Sequence, residues 1–330
     1  MSVKISKFGA VGSQSIEKIT IDNGTLRASV ISLGATLQEL FVPDKNGVVK
    51  DVVCGYDNVE DYLSESGYLG ATVGRYANRI NAGKFYVDGV EYNVFKNEQN
   101  ASLHGGKVGF SHKLWSYEAV GDNAVKFTIV SPDGDESYPG ELTLSVTYEL
   151  SESTLALYYE ATATKNTPVN VTNHSYFNLD GFDSGSTLSH KLYIPASHYD
   201  EVNSDLIPIG RPTPVKGTDF DFQTERVIEK DYDHNFVLDK GSAYGIAARL
   251  TGNSGRVCEV YTDLPAIQIY NAGGLSGKPM KGGVKKIKNG AVCLETQYSP
   301  NTPNRPYMPS CIYGPDRKLE TVTKFVFSVK

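Results

Sequence analysis

The sequence predicts an all-β protein, a large antiparallel β-sandwich with few short helices. Short runs rich in β-branched and aromatic residues alternate apolar with polar side chains, and turn residues separate these runs along the chain. Tyrosine is abundant, with 21 residues against 13 phenylalanines and one tryptophan, and tyrosine suits both strands and polar grooves. Helical periodicity is scarce. These features together favour an antiparallel sandwich or barrel.

The strand signals continue almost to the end of the chain. The clearest is a hairpin at 84–95, where two alternating runs meet at Asp88-Gly89, a pair that suits a type I′ turn. Residues 141–172 predict a three-stranded meander with turns at 151–153 and 165–168. Other predicted strands lie within 25–44 (broken at Gly34), 124–134, 256–272 (broken at Leu264-Pro265), 290–300 and 319–329. A short helix is predicted at the start of 59–74 and a helical turn around 230–232.

We expect one domain over residues 1–330, because no linker, repeat or low-complexity segment interrupts the pattern. The net charge is −6 and the basic residues do not cluster, which argues against nucleic acid as a partner. No run approaches the roughly 20 apolar residues of a membrane span, and the first residues lack the apolar segment of a signal peptide. We therefore expect a cytoplasmic protein, a monomer or weak homodimer, that binds neither membranes nor nucleic acids.

The four cysteines, Cys54, Cys258, Cys293 and Cys311, are scattered and form no C-x-x-C motif. Cys54 and Cys293 lie in apolar, strand-like runs, where a free thiol behaves as a small buried apolar group. We therefore expect neither a disulfide nor a metal site from these residues.

The stretch PVNVTNHSYFNL, residues 168–179, is the first candidate for part of a functional site. It begins as an alternating strand and then places Asn173, His174 and Tyr176 within four residues. Three hydrogen-bonding side chains are unusual in a core strand, and the flanking apolar residues are unusual in a surface loop. We interpret the stretch as the floor of a pocket, with the His174 imidazole as the reactive group.

The second candidate is Glu295 in CLETQYSP, residues 293–300. It lies in an apolar, strand-like run, where a carboxylate is unfavourable unless it is paired or used in chemistry. The alternative is a side chain on the solvent-facing side of the strand, which would carry no function.

Three further motifs offer polar groups, and each has a structural alternative. GRYANRI (74–80) offers Asn78 and Arg79 to ligand hydroxyls, or forms a solvated loop in which Arg75 and Arg79 are surface residues. NASLHGG (100–106) offers His104, or forms a turn at its glycine pair. DYDHNF (231–236) offers Asp233 to a polyol, or forms an Asp-rich turn.

Other polar segments have simpler interpretations. SPDGDESYPG (131–140) lacks the ligand spacing of a calcium loop and is predicted to be a polar hairpin loop. GGLSGKP (273–279) lacks the first glycine and the final Ser/Thr of a phosphate-binding loop. KGGVKKIKNG (281–290) is predicted to be a solvated loop. No nucleophile elbow, dinucleotide fingerprint or Cys/His metal spacing is present, so the candidate residues fit proton transfer without a metal or cofactor.

Six motifs, taken in order, resemble the aldose 1-epimerase (galactose mutarotase) family: GRYANRI, NASLHGG, SPDGDESYPG, NHSYFNL, DYDHNF and CLETQ. The resemblance covers nearly the whole chain, and the ordered set is far more specific than any single motif. It implies a galactose mutarotase-like β-sandwich with an open groove and no cofactor. It also implies exchange of the α and β anomers of galactose, glucose and similar free aldoses.

Matched motif by motif, the family's proton donor falls on His174 and its proton acceptor on Glu295. The family's sugar-binding groups fall on Asn78, Arg79, His104, Tyr176, Asp233 and Gln268, the last of them in the looser match AIQIYNAG. In this scheme Glu295 takes the proton of the anomeric hydroxyl while His174 gives a proton to the ring oxygen, so the sugar ring opens without forming a free ion.

Two other functions stay open at the level of the sequence. A hexose-6-phosphate 1-epimerase would need extra cationic groups for the phosphate, and the sequence offers only Lys107, Lys113 and the lysines of 281–288. A non-catalytic sugar-binding module would keep the groove, but it would need neither His174 nor Glu295 as a proton carrier.

Overall fold

Antiparallel strands dominate the structure, a computed structural model that describes residues 1–330. The first fourteen strands are β1 Ser2–Val11, β2 Gln14–Asp22, β3 Arg27–Ile31, β4 Thr36–Pro43, β5 Val49–Asp51, β6 Thr72–Val73, β7 Arg79–Asn81, β8 Lys84–Val87, β9 Val90–Asn93, β10 Ala101–Leu103, β11 Ser116–Val120, β12 Ala124–Ser131, β13 Leu142–Ser151 and β14 Thr154–Ala163. The remaining strands are β15 Thr167–Pro168, β16 Thr172–Asn173, β17 Tyr176–Phe177, β18 Lys191–Tyr193, β19 His198–Tyr199, β20 Thr213–Pro214, β21 Arg226–Val227, β22 Asp233–Val237, β23 Gly245–Thr251, β24 Arg256–Thr262, β25 Ala266–Tyr270, β26 Val292–Gln297, β27 Ile312–Tyr313 and β28 Leu319–Val329.

Helices are few and short, as expected. The α-helix α1 is Val59–Ser64, where the sequence predicts it, and Asn58 caps it by accepting a hydrogen bond from the Asp61 N–H. Short 3₁₀ turns lie at Phe110–His112, Asp135–Ser137, Lys281–Gly283 and Thr302–Asn304. The chain contains no helix with the length and apolar character needed to cross a membrane.

Three antiparallel sheets contain most of the strands. Their strand orders are β1-β2-β3-β4-β5, then β11-β12-β13-β14-β28-β24-β23-β18-β21, and then β17-β26-β25-β22-β19-β20. Four two-stranded pairs, β6-β16, β7-β10, β8-β9 and β15-β27, complete the set. The prediction of an all-β antiparallel fold is therefore confirmed.

One core of 62 buried apolar residues lies between the sheets and takes members from all three of them. The rings of Phe177 and Phe325 join the six-stranded to the nine-stranded sheet, with 5.1 Å between their centroids. Burial of apolar surface on this scale is the main stabilising term of the fold. That residues 1–330 form a single domain stays a prediction.

Local sequence signals place several elements correctly. In the hairpin of β8 and β9, Asp88 and Gly89 have φ angles of 52° and 77°, so both central residues are left-handed, as a type I′ turn requires. The break at Leu264-Pro265 separates β24 from β25, and these strands belong to different sheets. The four cysteines are buried and unpaired, and the burial of Cys54 and Cys293 agrees with their prediction as small buried apolar groups.

The predicted third strand of the meander and the helical turn at 230–232 are wrong. After β14 the chain makes only two short pairings, β15 with β27 and β16 with β6. Pro168 has no N–H to offer a continuous ladder, and the segment changes partners as it crosses between sheets. Residues 230–232 form no helical turn, and the Tyr232 N–H donates to the side chain of Asn271 at 2.7 Å instead of forming a helical bond.

Candidate active site

A polar cavity of about 250 Å³ lies on the six-stranded sheet, on the face opposite the core. The alternation along β26 defines the two faces: Val292 and Leu294 belong to the core, whereas Glu295 lines the cavity. All eight predicted site residues line this cavity: His174, Glu295, Asn78, Arg79, His104, Tyr176, Asp233 and Gln268. Glu295 is only 2% exposed, which excludes a solvent-facing position for its side chain.

Strand register brings the floor residues together from distant parts of the chain. Directly paired residues of antiparallel strands share one face of the sheet. Two rows therefore cross the floor, Asn235–Gln268–Glu295 and Asp233–Tyr270–Cys293–Tyr176. This register explains why four of the predicted site residues lie together on the cavity floor.

His174 lies in the short connection between β16 and β17. Its backbone N–H donates to the Ala71 carbonyl at 2.8 Å, and its own carbonyl accepts from the Gly70 N–H at 2.9 Å. Asn173 fixes the same turn, since its side-chain amide donates to the Gly70 carbonyl at 2.8 Å and its side-chain oxygen accepts from Ser175. Asn173 therefore holds the backbone that carries His174 and does not line the cavity.

The imidazole of His174 and the carboxyl of Glu295 face each other, with 3.8 Å between Nε2 and Oε2. Both side chains are buried, and neither His174 Nδ1 nor Glu295 Oε2 has a hydrogen-bond partner. Gln268 Oε1 is a third unpartnered atom of the cavity. Buried polar atoms almost always have partners, so three unpartnered atoms on residues of one cavity are unusual.

Two hydrogen bonds donated by main-chain N–H groups join Asn78 and His104. The Asn78 N–H donates to Nδ1 of His104 at 3.1 Å, and the His104 N–H donates to the Asn78 carbonyl at 3.2 Å. Because Nδ1 accepts a hydrogen bond, a neutral His104 carries its proton on Nε2. His104 is therefore a hydrogen-bond donor through Nε2.

The two arginines of GRYANRI have different roles, and neither is a surface residue. Arg79 lines the cavity, and Glu98 holds its guanidinium by hydrogen bonds of 2.7 and 2.9 Å. Arg75 is buried elsewhere and donates to the carbonyls of Ser131, Pro139 and Gly140, the loop predicted to be a polar hairpin. The solvated-loop alternative for this motif is thus wrong.

The glycine pair after His104 allows two backbone segments to pack closely. A Cβ at Gly105 would lie 1.9 Å from the Gly74 carbonyl oxygen, and the φ angle of Gly105 is 95°. Only glycine allows this close backbone approach. The turn alternative therefore holds for the glycines, whereas the His104 side chain lines the cavity.

Burial is the largest cause of the pKa shifts of His174, Glu295 and His104. It lowers the pKa of His174 to about 4. Burial, reinforced by the negative charge of Asp233, raises the pKa of Glu295 well above its usual value, although Arg79 opposes this. Burial also lowers the pKa of His104, with further contributions from His174 and Arg79. The cavity thus favours neutral His104, neutral His174 and a protonated Glu295.

Comparison with known proteins identifies the family. The sequence model described as aldose 1-epimerase matches residues 17–326. The chain belongs to the aldose 1-epimerase family. It is 42% identical to galactose mutarotase of Sus scrofa, with 100% of this chain and 99% of the relative covered. Its identity to galactose mutarotase of Homo sapiens is 41%, with 99% of each chain covered.

A solved structure shows the same fold. The crystal structure of an aldose epimerase homologue from C. elegans superposes with a TM-score of 0.89 at 29% identity, covering 94% of this chain and 98% of that one. The chain is therefore an isomerase of the aldose 1-epimerase family. The alternative of a non-catalytic sugar-binding module is not supported.

His104, His174 and Glu295 place three candidate metal-ligand atoms within 4.8 Å of one another. Ligation through His104 Nε2 would require a proton on Nδ1, directly opposite the Asn78 N–H. Two donors facing each other are unfavourable. The residues therefore fit a metal poorly, and the absence of a metal requirement stays a prediction.

Sequence reasoning missed half of the cavity wall: Ser66, Gly67, Tyr68, Leu103, Tyr270, Gly274, Leu275 and Ser276. Tyr270 could have been found, because it lies two residues after Gln268 and alternation puts both on one face. The other residues lie in loops or at a strand end, and neither NASLHGG, which contains Leu103, nor GGLSGKP, which contains Gly274–Ser276, marked them as site residues. Their placement depends on tertiary contacts.

Two lysines that the sequence predicts to be solvated follow the loop that supplies Gly274–Ser276, and Lys286 Nζ donates to the Ser276 carbonyl at 2.8 Å. Lys281 is buried and pairs with Asp51 at 2.6 Å. The side chain of Lys286 is 2% exposed and pairs with Glu65 at 2.8 Å. The prediction of a solvated loop at 281–290 is thus wrong for these two residues, because their acidic partners lie far away in the sequence.

Proposed function

We propose that the cavity binds a free aldohexose, galactose or glucose, and exchanges its α and β anomers by general acid/base catalysis. The observation that carries the proposal is the buried His174–Glu295 pair, 3.8 Å apart and with a free polar atom on each side chain. The cavity volume of about 250 Å³ is smaller than the roughly 300 Å³ at which sites for drug-sized ligands begin. It suits one monosaccharide.

Opening a pyranose hemiacetal removes a proton from the anomeric hydroxyl and adds a proton to the ring oxygen. In our proposal Glu295 accepts the first proton and His174 donates the second, so neither an alkoxide nor an oxonium ion has to form. Rotation about the C1–C2 bond presents the other face of the carbonyl, and the two residues exchange roles for ring closure. Each general acid or base contributes about 10²–10⁴-fold to the rate.

The pair shares one proton through the cycle. Opening converts an imidazolium and a carboxylate into an imidazole and a carboxylic acid, and closure reverses this. Because burial lowers the pKa of His174 and raises that of Glu295, the free enzyme favours the neutral arrangement. A bound sugar would donate a hydroxyl hydrogen bond to Glu295 Oε2, which stabilises the carboxylate and shifts the proton to His174.

Two neighbouring groups are proposed to stabilise charge near the reacting oxygens. His104 is a neutral donor through Nε2, because Asn78 occupies its other nitrogen. Arg79 is oriented by its two hydrogen bonds to Glu98. Donors fixed in advance at the place where charge develops stabilise a transition state without reorganisation.

The other predicted residues are proposed to hold the hydroxyls farther from C1. Gln268 Nε2 donates to Asp233 Oδ1 at 2.6 Å, which leaves Gln268 Oε1 free to accept from a sugar. Asn78 adds a carboxamide at the cavity wall, and Tyr176 packs its ring 5.1 Å from the His174 ring. Hydrogen bonds to the distal hydroxyls hold the sugar and still allow rotation about its C1–C2 bond.

A hexose 6-phosphate is a poorer substrate for this cavity. Arg79 is its only Lys or Arg lining residue, and Glu98 already pairs with it. Neither Lys107 nor Lys113 lines the cavity, and Lys281 and Lys286 are engaged in ion pairs. A phosphate dianion would lack the cationic partners that it needs.

We also propose that the protein acts in the cytoplasm, as a monomer or weak homodimer, without metal, membrane or nucleic acid partners. Four buried free thiols fit a reducing compartment. The net charge of −6 fits a protein that does not bind nucleic acid.

Polarimetry with the purified protein tests the substrate and the acid together. We expect fast relaxation of freshly dissolved α-D-galactose and α-D-glucose, at least tenfold slower relaxation of glucose 6-phosphate, and a loss of about 10²-fold or more in kcat for His174→Asn. Faster turnover of glucose 6-phosphate would contradict the substrate assignment. Near-normal turnover by the variant would contradict the role of His174.

A further inference from the structure

Tyr68 is a wall residue of the cavity that packs against both cavity histidines. Its ring lies nearly parallel to that of His174, with 5.9 Å between centroids and 26° between planes. Its contact with His104 is edge-on, at 4.8 Å. Tyr176 also lies nearly parallel to His174, at 5.1 Å and 20°. The reactive imidazole is therefore packed against two tyrosine rings, one of which also touches the second histidine.

The backbone of Tyr68 has an unusual conformation. Its φ angle is 54°, a left-handed value that bulky L-residues rarely adopt. Asn78 and His104, which also line the cavity, have φ angles of 64° and 50°. Backbone strain of this kind persists where the surrounding structure imposes it, and it clusters at functional sites.

The turn that holds Tyr68 is the same turn that holds the backbone of His174. The Ala71 N–H donates to the Tyr68 carbonyl at 3.0 Å and closes the turn. Gly70 and Ala71 each form a main-chain hydrogen bond with His174, at 2.9 and 2.8 Å. One short segment thus fixes the main chain of His174 and places a ring against its imidazole.

We propose that Tyr68 is a positioning residue for the proton transfer: its ring fixes the orientation of the His174 imidazole towards Glu295 and keeps bulk water away from it. The proposal rests on the assignment of His174 as the proton donor. The phenolic hydroxyl takes no part in it. An aromatic ring supplies the contact, because near-parallel packing restricts rotation of the imidazole and covers its face.

The pH dependence of the reaction should report this role. The titratable groups that face His174 are Glu295, His104, Tyr68 and Tyr176. Activity needs one proton on the His174–Glu295 pair and is lost on the acid side when a second proton binds. Removing the Tyr68 ring admits water to His174, which weakens the burial that lowers its pKa. The second proton then binds at a higher pH, so the acid limb of kcat/KM moves upward.

The decisive variants are Tyr68→Gly, Tyr68→Leu and Tyr68→Phe. Glycine accepts the left-handed backbone, so Tyr68→Gly removes the ring without disturbing the turn. We expect both Tyr68→Gly and Tyr68→Leu to lower kcat by about tenfold or more, since small misplacements of a reacting group are costly. KM should stay within about threefold, and the acid limb should rise by about one pH unit. Tyr68→Phe should keep most of the parent kcat and an acid limb close to that of the parent.

Tyr244→Ala is the matched control, because Tyr244 is 54% exposed and lies outside the cavity. Its kinetics should equal those of the parent. The proposal is overturned if Tyr68→Gly keeps the parent kcat and acid limb, if Tyr68→Phe loses as much as Tyr68→Gly, or if only KM changes. His174→Asn, measured alongside, separates the two hypotheses: an active His174→Asn defeats the proposed function, whereas an inactive one with a normal Tyr68→Gly defeats only the role of Tyr68.

Discussion

Replacing Glu295 by glutamine should destroy activity and at the same time stabilise the protein. Glutamine keeps the size of the side chain but cannot accept a proton from the anomeric hydroxyl. Loss of a general base lowers kcat by about 10²–10⁴-fold, equivalent to roughly 3–5 kcal/mol of activation free energy. The distal sugar contacts are unchanged, so KM should change little.

The stability change has the opposite sign. Burial raises the pKa of Glu295 in the folded state, so the folded protein binds more protons than the unfolded chain above the ordinary glutamate pKa. The contribution of Glu295 to the free energy of unfolding therefore falls as pH rises through that window. Glu295→Gln removes this dependence. At pH 8 the free energy of unfolding of the variant should exceed that of the parent by about 1 kcal/mol. This is the lower end of the cost of an unpaired buried polar group, because the amide oxygen of the glutamine still lacks a hydrogen-bond partner.

Polarimetry on fresh α-D-galactose measures the kinetic effect, and urea denaturation at pH 5 and pH 8 measures stability. Glu320→Gln is the matched control, since Glu320 is an exposed carboxylate outside the cavity, and it should leave both quantities unchanged. A Glu295→Gln variant with turnover within fivefold of the parent, or one destabilised at pH 8, would refute the reasoning.

Three other changes have defined outcomes. Glu98→Gln releases the guanidinium of Arg79 and should raise KM for galactose about fivefold, as a partly exposed ion pair contributes only about 1 kcal/mol; steady-state kinetics with an unchanged KM would contradict this. Because the pKa of His174 is lowered to about 4 in the folded state, the contribution of His174 to stability should increase as pH rises from 4 to 6.5, opposite in sign to that of Glu295. His174→Asn should therefore remove up to roughly 3 kcal/mol of this contribution, measured against the parent in urea titrations. Lys281→Met leaves Asp51 buried without its partner and should lower the free energy of unfolding by about 3–5 kcal/mol, seen as a lower Tm.

Alternating residues made the floor of the cavity predictable. Gln268 and Glu295 lie on strands whose apolar residues face the core, so their polar side chains must face the other way. The same logic identifies Asp233 and Tyr270 as floor residues once their strands are paired. Local patterns fix which face a side chain occupies, because the strand period is two residues.

The loop walls were not predictable in this way. Arg75 and Arg79 share one motif and one residue type, yet Arg75 binds carbonyls of the 131–140 loop and Arg79 lines the cavity. Lys286 looked solvated because Glu65, its partner, lies more than 200 residues earlier. Such positions depend on contacts between distant segments, which no local pattern encodes.

Tyr68 illustrates the same limit. Its sequence neighbourhood, SGYLG, carries no motif, and a left-handed tyrosine contradicts local preference. The turn that contains Tyr68 is hydrogen-bonded to the backbone at His174, about a hundred residues later. Conflict between local preference and observed conformation is expected where function selects the geometry.

A double-mutant cycle on His174 and Glu295 tests the central claim most directly, that the two side chains transfer protons within one coupled step. The initial rates of α-D-galactose relaxation are measured for the parent, His174→Asn, Glu295→Gln and the double variant. If the residues act as a unit, the double variant loses no more than about tenfold beyond the worse single variant. Losses that multiply, so that each residue contributes its full factor in the absence of the other, would contradict the account.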